Sequence, residues 1–596
     1  MKDVREILKK RPLLFDGGMG TYYKAKPGQE CEQANLLDPD GILTVHRAYL
    51  EAGADAIKTN TFGLPRMAAA QNPMWEAMAD EGWKLAAQAA AKTSAAVFAD
   101  LGPAPDTEAL PAAQIYTALA ERFAALGAKN FLFETLSSDA GVAEAARQIK
   151  EAVPDAFVLV SFAVLPDGYT REGRHCAELV RSMTACGAVD AVGLNCVSAP
   201  GAMRALVQQL GETKLPLAVM PNAGYPVVTR TRVQYQGRPE YFARELARLA
   251  AEGVRILGGC CGTTPAHIAA LRAALDALPE TLPAAPAAAV STAAKPEVEK
   301  DDAFLRKLNA GKKVIAIELD SPKDADLTGY LDGARRLQAA GADPERRLLL
   351  CPIAQARMDS SLVACRVHRE LGMCALPHMT CRDRNLNATK ALLLGLYAEG
   401  VREVLAITGD PIPTAERDEV KNVYQFNSRK LAQYIVSLAG EGREMPSPLT
   451  VFGALNLNAR NFDVELRRAQ EKLQNGMSGF LDEPVLSAQA VVNLKKTRET
   501  LGKKAKILAG IMPVVSQRNA IFMENEVNGI HVDAEIIERF AGLDRAQGEE
   551  LGLEVSVKAA QAAAPYADGF YLMTPFNRIA LMERLIARLK DEGIAD

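Results

Sequence analysis

The sequence predicts an α/β protein made of two (β/α)8 TIM barrels joined by a Pro/Ala-rich linker. Three observations lead to this prediction: the length, a change of composition near the middle, and a repeated alternation of apolar runs with helical stretches. The chain has 596 residues, whereas a single hydrophobic core stops growing at roughly 250–300 residues. Two domains of barrel size are therefore expected.

The change of composition falls on residues 283–302, which read PAAPAAAVSTAAKPEVEKDD. This segment is rich in Pro and Ala, ends in charged residues and lacks the periodic apolar positions of a packed element. Such a segment is typical of a linker. We therefore assign one domain to residues 1–282 and a second domain to residues 303–596.

Each half contains eight short apolar runs separated by stretches with helical periodicity. In the first half the runs are LLFDGG, AIKTN, AAVFAD, NFLFET, FVLVSF, AVGLNC, LAVMPNA and ILGGCC. In the second half they are VIAIELD, RLLLCP, CALPHMT, VLAITGD, LTVFGALN, GFLDEP, ILAGIMP and GFYLMTP. This alternation predicts parallel sheets. A doubly wound sheet would alternate in the same way, but no GxGxxG motif follows the first run of either half, which favours barrels.

Composition indicates small-molecule ligands. The formal net charge is -4, with 48% hydrophobic and 24% charged residues, so neither nucleic acid nor a membrane is expected as a partner. The first residues carry scattered charges, and no apolar run approaches the roughly 20 residues of a membrane span. We expect a cytoplasmic protein whose ten cysteines are thiols or metal ligands. The composition leaves an oligomer possible.

Three cysteines end neighbouring strands of the first predicted barrel. Cys196 ends the sixth run, and Cys260 with Cys261 ends the eighth. Strands six and eight flank strand seven, so the three sulfurs are expected to meet above the barrel. Three thiolates with an open fourth position form the ligand set of a catalytic zinc ion. Two alternatives are a closed structural zinc site with His267 as fourth ligand and a chance pairing of small buried thiols.

Several stretches of the first half resemble one known family. They are LFDGGMGT (14–21), EAGADAIKTNTF (51–62), FLFET (131–135), GLNC (193–196), PNAGYP (221–226) and GGCCGTTP (258–265). The set is similar to the homocysteine S-methyltransferase family. The resemblance implies that Zn²⁺ on Cys196, Cys260 and Cys261 holds the homocysteine thiolate, which attacks an activated methyl group. The methyl donor stays open between a methylated folate, a methyl-corrinoid on a separate protein and a sulfonium such as S-methylmethionine.

The same resemblance implies contacts to the amino-acid part of the substrate. Asp16 and Glu134 match acidic positions around the substrate amino group, and an ammonium group needs such carboxylates. The amides of Gly17 and Gly18 match the place of the substrate carboxylate, and exposed amides at a Gly–Gly turn form an anion-binding nest. Further candidates for the pocket are Thr59, Asn195 and Asn222.

Different residue types end the runs of the second half, and carboxylates and amides there suit a polar heterocycle. These residues are Glu318, Asp320, His378, Thr380, Asp410, Asn456, Asn458 and Glu483. The surrounding stretches are IELDSP (317–322), HMTCRDRN (378–385), AITGDPIP (406–413), NLNARNFD (456–463) and GIMPVVSQRNAIFMENEVNGIHV (510–532). They resemble the methylenetetrahydrofolate reductase family, which consists of flavin-dependent barrels. The order of the two halves resembles bacterial fusions of these two families.

This second resemblance implies roles for individual residues. Glu318 would be the general acid that protonates the folate, which requires a carboxyl kept protonated by partial burial. Asp410 would lie near the flavin and the folate and tune both. FAD contacts are implied for His378, Thr380 and Lys472, the lysine as a phosphate partner. Asn456 is a further cofactor-binding candidate. NAD(P)H would be the reductant.

Two positions depart from the second family and leave two functions open. Glu483 stands where relatives commonly carry a glutamine that contacts the pterin, and an ionised glutamate can only accept hydrogen bonds. Thr408 stands where many relatives carry arginine. We therefore expect either a bifunctional methyltransferase and reductase, or a homocysteine methyltransferase whose second barrel binds flavin or folate without turnover. Glu483 stays a substrate-binding candidate, because an ionised glutamate could still accept hydrogen bonds from the amino and ring N–H groups of the pterin.

Overall fold

The computed structural model divides the chain into two compact units, Met1–Ala293 and Ala294–Asp596. It describes residues 3–25, 28–107, 109–210, 212–224, 226–228, 233–235, 237–279, 281–283, 303–340, 347–351, 357–409, 423–440, 443–527 and 529–595. All but the first residue of the predicted linker, 283–302, lies outside these ranges, so the linker stays a prediction.

The first unit is built on eight parallel strands in the order β1-β10-β7-β6-β5-β4-β3-β2. Its strands are β1 (Leu13–Leu14), β2 (Ala56–Lys58), β3 (Ala96–Leu101), β4 (Asn130–Leu136), β5 (Phe157–Phe162), β6 (Ala191–Asn195), β7 (Leu217–Met220), β8 (Pro226–Val228), β9 (Val233–Tyr235) and β10 (Ile256–Leu257). β1 and β2 meet through a single bridge between Phe15 and Ala56, which brings the two ends of the sheet together. β8 and β9 form an antiparallel hairpin outside this sheet.

Most helices of the first unit cover the outside of its barrel with their apolar faces. The helices of this unit are α1 (Val4–Lys10), α2 (Met19–Tyr23), α3 (Ala34–Leu37), α4 (Pro39–Glu51), α5 (Leu64–Ala69), α6 (Trp75–Ala90), α7 (Ala112–Ala125), α8 (Val142–Ala152), α9 (Cys176–Ala185), α10 (Pro200–Leu210), α11 (Pro239–Ala251) and α12 (Pro265–Asp276). Local sequence sets their starts: Asp38 caps α4 by accepting from the Gly41 amide at 3.1 Å, with Pro39 at the first helical position.

The second unit is a closed barrel of eight strands in sequence order. Its strands are β11 (Val314–Glu318), β12 (Arg347–Cys351), β13 (Cys374–Thr380), β14 (Glu403–Ile407), β15 (Thr450–Leu455), β16 (Gly479–Pro484), β17 (Lys506–Ile511) and β18 (Gly569–Met573). Its helices are α13 (Ala303–Asn309), α14 (Thr328–Ala339), α15 (Ser360–Leu371), α16 (Leu386–Ala398), α17 (Ser428–Ser437), α18 (Phe462–Gln474), α19 (Ala488–Leu501), α20 (Gln517–Glu526), α21 (Ala534–Arg539), α22 (Arg545–Ala563) and α23 (Ile579–Asp591).

A short amphipathic helix closes the amino end of each barrel. Val4 and Ile7 of α1 pack against the side chains that fill the first barrel, and Arg5 donates to the Ala156 carbonyl just before β5. In the second barrel Phe304 and Leu308 of α13 join the interior in the same way. Polar ligands are therefore left with the carboxyl ends of the strands, where barrel active sites lie.

The predicted fold class is confirmed, because each of the sixteen predicted runs overlaps one barrel strand. The β8–β9 hairpin was not predicted. None of the described helices is both long enough and apolar enough to cross a membrane.

Candidate functional site

The three predicted cysteines meet at the carboxyl end of the first barrel. Cys196 follows β6, Cys260 and Cys261 follow β10, and β7 lies between these strands. The three sulfurs lie within 4.8 Å of one another, and Cys196 Sγ is 3.8 Å from Cys261 Sγ. Zinc–sulfur bonds of about 2.3 Å in a tetrahedron separate two sulfurs by about 3.8 Å. The donor atoms and their spacing therefore fit zinc.

Backbone hydrogen bonds hold both cysteine loops against the end of β7. The Cys196 amide donates to the Met220 carbonyl at 3.0 Å, and the Cys260 amide donates to the Pro221 carbonyl at 2.9 Å. Cys196 has a φ of 55° and Val197 a φ of 50°, a left-handed backbone that costs a non-glycine residue of order 1–3 kcal/mol. The strained turn that presents the Cys196 sulfur is therefore kept in place by the contacts around it, such as the hydrogen bond to Met220.

Glycines allow the second cysteine loop to pack this closely. A Cβ atom at Gly258 would lie 2.6 Å from the Cβ of Phe15, and one at Gly18 would lie 2.6 Å from the Cys260 carbonyl oxygen. Gly262 has a φ of 78°, which glycine adopts without strain. A side chain at these positions would push the loop away from the barrel.

The three thiols differ in pKa. Contacts from Cys196 and then from Cys260 lower the pKa of Cys261 to about 3. Contacts with Cys196 and Cys261, together with burial, raise the pKa of Cys260 well above its ordinary value. The cluster thus stabilises a thiolate, the form in which cysteine binds metal.

A cavity of about 220 Å³ adjoins the sulfurs. Besides the three cysteines, its lining includes three buried ionisable side chains from adjacent strands: Lys58, Asp100 and Glu134. Lys58 ends β2, Asp100 lies near the end of β3 and Glu134 lies in β4. A thiol cluster and a charged group therefore share one cavity.

Glu134 reaches this cavity because β4 is irregular there. The pairing of β4 with β5 shifts register between Phe133 and Leu136, and Thr135 has a φ of 60°. The Asn195 side chain holds this bulge by accepting from the Thr135 amide at 2.9 Å and donating to the Thr135 hydroxyl at 2.8 Å. Asn195, predicted as a pocket residue, thus supports the strand that carries Glu134.

Lys58 is the cation of this charged group. Its Nζ lies 3.4 Å from Glu134 Oε2 and 3.9 Å from Asp16 Oδ1, and it donates to the Gly259 carbonyl at 3.5 Å. The Lys58 amide also donates to Asp16 Oδ2 at 3.0 Å. Burial lowers the pKa of Lys58, but attraction to Glu134 and Asp16 outweighs this effect and raises it well above its ordinary value.

Asp16 and Asp100 are both almost fully buried, at 1% and 3% exposure. Burial raises the pKa of Asp16 to about 7, although Lys58 lowers it. Burial, followed by the negative charge of Glu134, raises the pKa of Asp100 well above its ordinary value. Asp16, predicted to contact the substrate amino group, is in contact with Lys58 and is not among the residues that line the cavity. Among the described residues, its Oδ1 is buried without a hydrogen-bond partner.

The anion nest predicted at Gly17 and Gly18 stays a prediction, and the structure bears on one of its two amides. The Gly18 amide donates to Thr263 Oγ1 at 3.0 Å, and the Thr263 hydroxyl donates to the Cys260 carbonyl at 2.6 Å. Gly17 is buried. The Gly18 amide is thus not free for a carboxylate, because the loop after β10 folds over it.

Three further sequence candidates have the following surroundings. The Thr59 hydroxyl lies 2.6 Å from the Thr61 hydroxyl and accepts from the Asp100 amide at 3.0 Å. Among the described residues, the Asn222 side-chain oxygen is buried without a hydrogen-bond partner. His267 is not placed as a fourth ligand, since its Nδ1 lies 3.0 Å from the Thr264 hydroxyl and its Nε2 lies 3.2 Å from the Gly237 carbonyl.

In the second barrel, Glu318, Glu483 and Asn456 share the carboxyl end of the strands. A Cβ atom on Gly529 would lie 3.0 Å from Asn456 Nδ2 and 3.9 Å from Glu483 Cδ. Burial, then the charges of Asp320 and Glu483, raises the pKa of Glu318 to about 8. Glu318 is therefore protonated near neutral pH, as its predicted role as an acid requires.

A bulge also shapes this second site. The pairing of β16 with β17 shifts register between Leu481 and Pro484, and the buried Asp482 carboxylate accepts from the Gly510 amide inside the irregular stretch. Glu483 follows directly. In both barrels a carboxylate predicted to contact substrate lies on a bulged strand, where bulges commonly redirect a side chain.

The predicted cofactor residues differ in their surroundings. His378 is 7% exposed, its pKa is lowered to about 3 by burial, and its Nε2 has no hydrogen-bond partner among the described residues. Thr380 donates to Asp383 Oδ2 at 3.1 Å. Lys472 donates to the Ala454 carbonyl at 2.6 Å and lies 3.8 Å from Glu465. Asp410 lies outside the described residues.

Some neighbouring positions are also fixed within the protein. The Thr408 hydroxyl accepts from the Ser428 amide at 3.3 Å, and Asn456 Oδ1 accepts from the Asn458 amide at 2.8 Å. The orphaned nitrogen of His378 is one atom at these strand ends that a polar cofactor would satisfy. The amide, hydroxyl and imidazole groups at these strand ends suit a flavin.

Lys58 and Asp100 are site residues that were not identified from the sequence. Both lie in predicted runs, AIKTN and AAVFAD, at the place where the run turns polar. That is the signal by which the other strand-end residues were chosen. Applied to these two runs, it would have found them.

Fold and site together define a chain of two α/β barrels, the first with a thiol cluster suited to a metal ion. Residues 13–275 match the model of the homocysteine S-methyltransferase family. Residues 303–590 match the model of the methylenetetrahydrofolate reductase family. The chain therefore combines a homocysteine S-methyltransferase domain with a methylenetetrahydrofolate reductase domain, and both are families of enzymes.

Individual relatives match the chain over less than half its length. It is 32% identical over 302 residues to the methionine synthases of Mycobacterium tuberculosis and Mycobacterium leprae, which covers 46% of this chain. The chain spans 25% of the length of these curated relatives. Among solved structures it is similar to the metallated homocysteine methyltransferase MmuM from Escherichia coli. That match has 25% identity and a TM-score of 0.38, and it covers 46% of this chain and 99% of the other.

The raised pKa of Glu318 gives a prediction for stability against pH. Between an ordinary value of 4.5 and about 8, the unfolded chain has lost a proton that the folded chain keeps, so stability falls as pH rises through this window. Glu318→Gln cannot ionise. We expect its free energy of unfolding, relative to the wild type, to rise from about pH 5 to about pH 8 and to stay level above.

Urea unfolding of the full chain at a series of pH values measures this difference. Glu538→Gln, at an exposed position of α21, is the matched control and should show no such rise. A constant difference between wild type and Glu318→Gln across the window would contradict the assignment.

Proposed function

We propose that the first barrel transfers a methyl group to the thiol of homocysteine, giving methionine. The observation that supports this most directly is the meeting of Cys196, Cys260 and Cys261 beside a cavity that also holds buried carboxylates. A thiol cluster alone would suit any soft metal, and carboxylates alone would suit many cations. Together they suit a ligand with a thiol at one end and an ammonium group at the other.

We assign a zinc ion to the three cysteines. Zinc held by three thiolates supplies a Lewis acid that keeps a fourth, substrate thiol deprotonated near neutral pH. The protein supplies position: the bonds to Met220 and Pro221 hold the sulfurs, and the bulge at Thr135 turns Glu134 toward the same cavity. Cys260 is 8% exposed, so little water reaches the sulfur that lies deepest.

We propose that the second barrel reduces 5,10-methylenetetrahydrofolate to 5-methyltetrahydrofolate. FAD supplies hydride-transfer chemistry, and NAD(P)H is the reductant. Glu318 has its pKa near 8 and so carries the proton that the folate nitrogen takes up as the methylene bridge opens. His378, Thr380, Asn456 and Lys472 are the residues to which we assign cofactor contacts.

A second candidate keeps the methyltransferase and makes the second barrel a binding module for flavin or folate. The observation that favours it is the crowding of acids, since Glu318 experiences the charges of both Asp320 and Glu483. A glutamate facing the pterin carbonyl would repel it unless protonated. The methyl donor, a corrinoid partner, the oligomeric state and a cytoplasmic location remain predictions.

The methyltransferase is tested with cysteine variants of the full chain. We expect about one zinc ion per wild-type chain, and in Cys196→Ser and Cys260→Ser zinc binding weaker by more than about tenfold, because each variant removes a ligand. Methionine formation from homocysteine should fall with it. Zinc content and methionine are measured with methyltetrahydrofolate, methylcobalamin and S-methylmethionine supplied in parallel.

Cys186→Ser, at the end of α9 and away from the cluster, is the control and should retain zinc and activity. If the cluster variants made methionine at the wild-type rate with every active donor, the proposed first activity would be wrong.

The reductase is tested by comparing two electron acceptors. For the active enzyme we expect methylenetetrahydrofolate-dependent oxidation of NAD(P)H, reduced by about 100-fold or more in Glu318→Gln because the general acid is lost. Oxidation coupled to menadione needs flavin but no proton on folate, so it reports whether the variant holds flavin. Wild-type protein that is yellow and reduces menadione but not methylenetetrahydrofolate would support the binding module instead.

A further inference from the structure

We propose that the hydroxyl group of Tyr235 donates a hydrogen bond to the metal-bound sulfur of Cys261 and thereby sets how strongly the zinc ion attracts a substrate thiol. Tyr235 acts through Cys261, so it is a positioning residue rather than a ligand. The inference rests on the proposed zinc site, and it gives the β8–β9 hairpin a part in that site.

The base of the β8–β9 hairpin is fixed on the loop that carries Cys261. Tyr235 ends β9 and pairs with Pro226 of β8. Before the hairpin, the Ala223 amide donates to the Cys261 carbonyl at 3.0 Å. After the hairpin, the backbone passes so close that a Cβ atom on Gly237 would lie 1.4 Å from the Ala223 carbonyl oxygen. The hairpin therefore begins and ends beside the second cysteine loop.

His267 holds the chain just after Tyr235. Its Nδ1 accepts from the Thr264 amide at 3.3 Å, and its Nε2 lies 3.2 Å from the Gly237 carbonyl. Because Nδ1 accepts a hydrogen bond, Nε2 carries the proton and donates to that carbonyl. His267, a candidate for the fourth zinc ligand from the sequence, thus binds the backbone at the base of the hairpin.

The aromatic ring of Tyr235 lies over the glycine that follows Cys261. A Cβ atom on Gly262 would lie 2.2 Å from Tyr235 Cγ, so the ring packs directly on the backbone. The hydroxyl group of this ring is hydrogen-bonded to the Cys261 sulfur. A cysteine that binds metal has lost its proton. In the metal-bound site the hydroxyl group is therefore the donor and the sulfur is the acceptor.

This hydrogen bond has a consequence for the metal ion. The negative charge of three thiolates exceeds the positive charge of a zinc ion, and a substrate thiolate adds to the excess. A donor to one sulfur withdraws charge from it, so the ion attracts a fourth ligand more strongly. The Lys58 cation also acts on Cys261, through its charge, whereas Tyr235 acts by direct contact with one sulfur.

The experiment uses Tyr235→Phe, which removes the hydroxyl group and keeps the ring that packs on Gly262. The full chain is loaded with cobalt(II), because its sulfur-to-cobalt charge-transfer bands report the electron density on the thiolates. We expect the bands of the variant at longer wavelength than those of the wild type, since a sulfur without a donor gives up charge more readily. Zinc affinity, measured by competition with a chelator, should fall by about tenfold or more.

Tyr241→Phe, at an exposed position of α11, is the matched control and should leave both the bands and the zinc affinity unchanged. Bands at the wild-type wavelength in Tyr235→Phe, or a zinc affinity that changes by less than about twofold, would overturn the inference. A wild-type chain that takes up neither zinc nor cobalt would instead count against the proposed zinc site itself.

A measurement without variants keeps the inference testable if Tyr235→Phe folds poorly. In a crystal structure of the zinc-loaded wild-type chain, the Tyr235 hydroxyl group should lie within hydrogen-bond distance of the Cys261 sulfur. A hydroxyl group that points to solvent, or that donates to a different acceptor, would refute the inference.

Discussion

Two backbone hydrogen bonds hold the proposed metal site together. The amides of Cys196 and Cys260 donate to the carbonyls of Met220 and Pro221 at the end of β7, so that the middle strand sets the distance between the two cysteine loops. The sulfurs come within reach of one ion because neighbouring strands of a parallel barrel end at the same level. The left-handed turn at Cys196 and the glycines around Cys260 serve the same two hydrogen bonds. Each allows its loop to pack closely enough against the end of β7 for the bond to form.

The ionisable side chains beside the sulfurs carry more acidic than basic groups, and protonation offsets the difference in charge. Three carboxyl groups, those of Asp16, Asp100 and Glu134, lie near one ammonium group, that of Lys58, with little exposure to water. Unpaired buried charges are costly, so protonation of part of this group offsets the excess of acids, as the raised pKa values of Asp16 and Asp100 indicate. A substrate that brings its own cation is then favoured. The second barrel uses burial differently, to keep Glu318 protonated.

Much of the fold and of the first site could be predicted from the sequence, because each apolar run ends in polar or glycine residues that mark the carboxyl end of a strand. Alternating runs predicted both barrels, and the polar tails of the runs predicted Cys196, Cys260 and Cys261 at one place. What could not be predicted depends on contacts between distant segments. The Gly18 amide donates to the Thr263 hydroxyl, and Lys58 forms an ion pair with Asp16. Neither contact can be read from a local sequence pattern. The β8–β9 hairpin was missed because its strands are three residues each and lie between two barrel strands.

The central claim is that Cys196, Cys260 and Cys261 hold one zinc ion with a position open to a substrate thiol. X-ray absorption at the zinc edge of the full chain, recorded before and after addition of homocysteine, measures this directly. We expect three sulfur neighbours at about 2.3 Å before addition and four afterwards. A sulfur count that stays the same on addition of homocysteine, or zinc bound without three sulfurs, would contradict the claim.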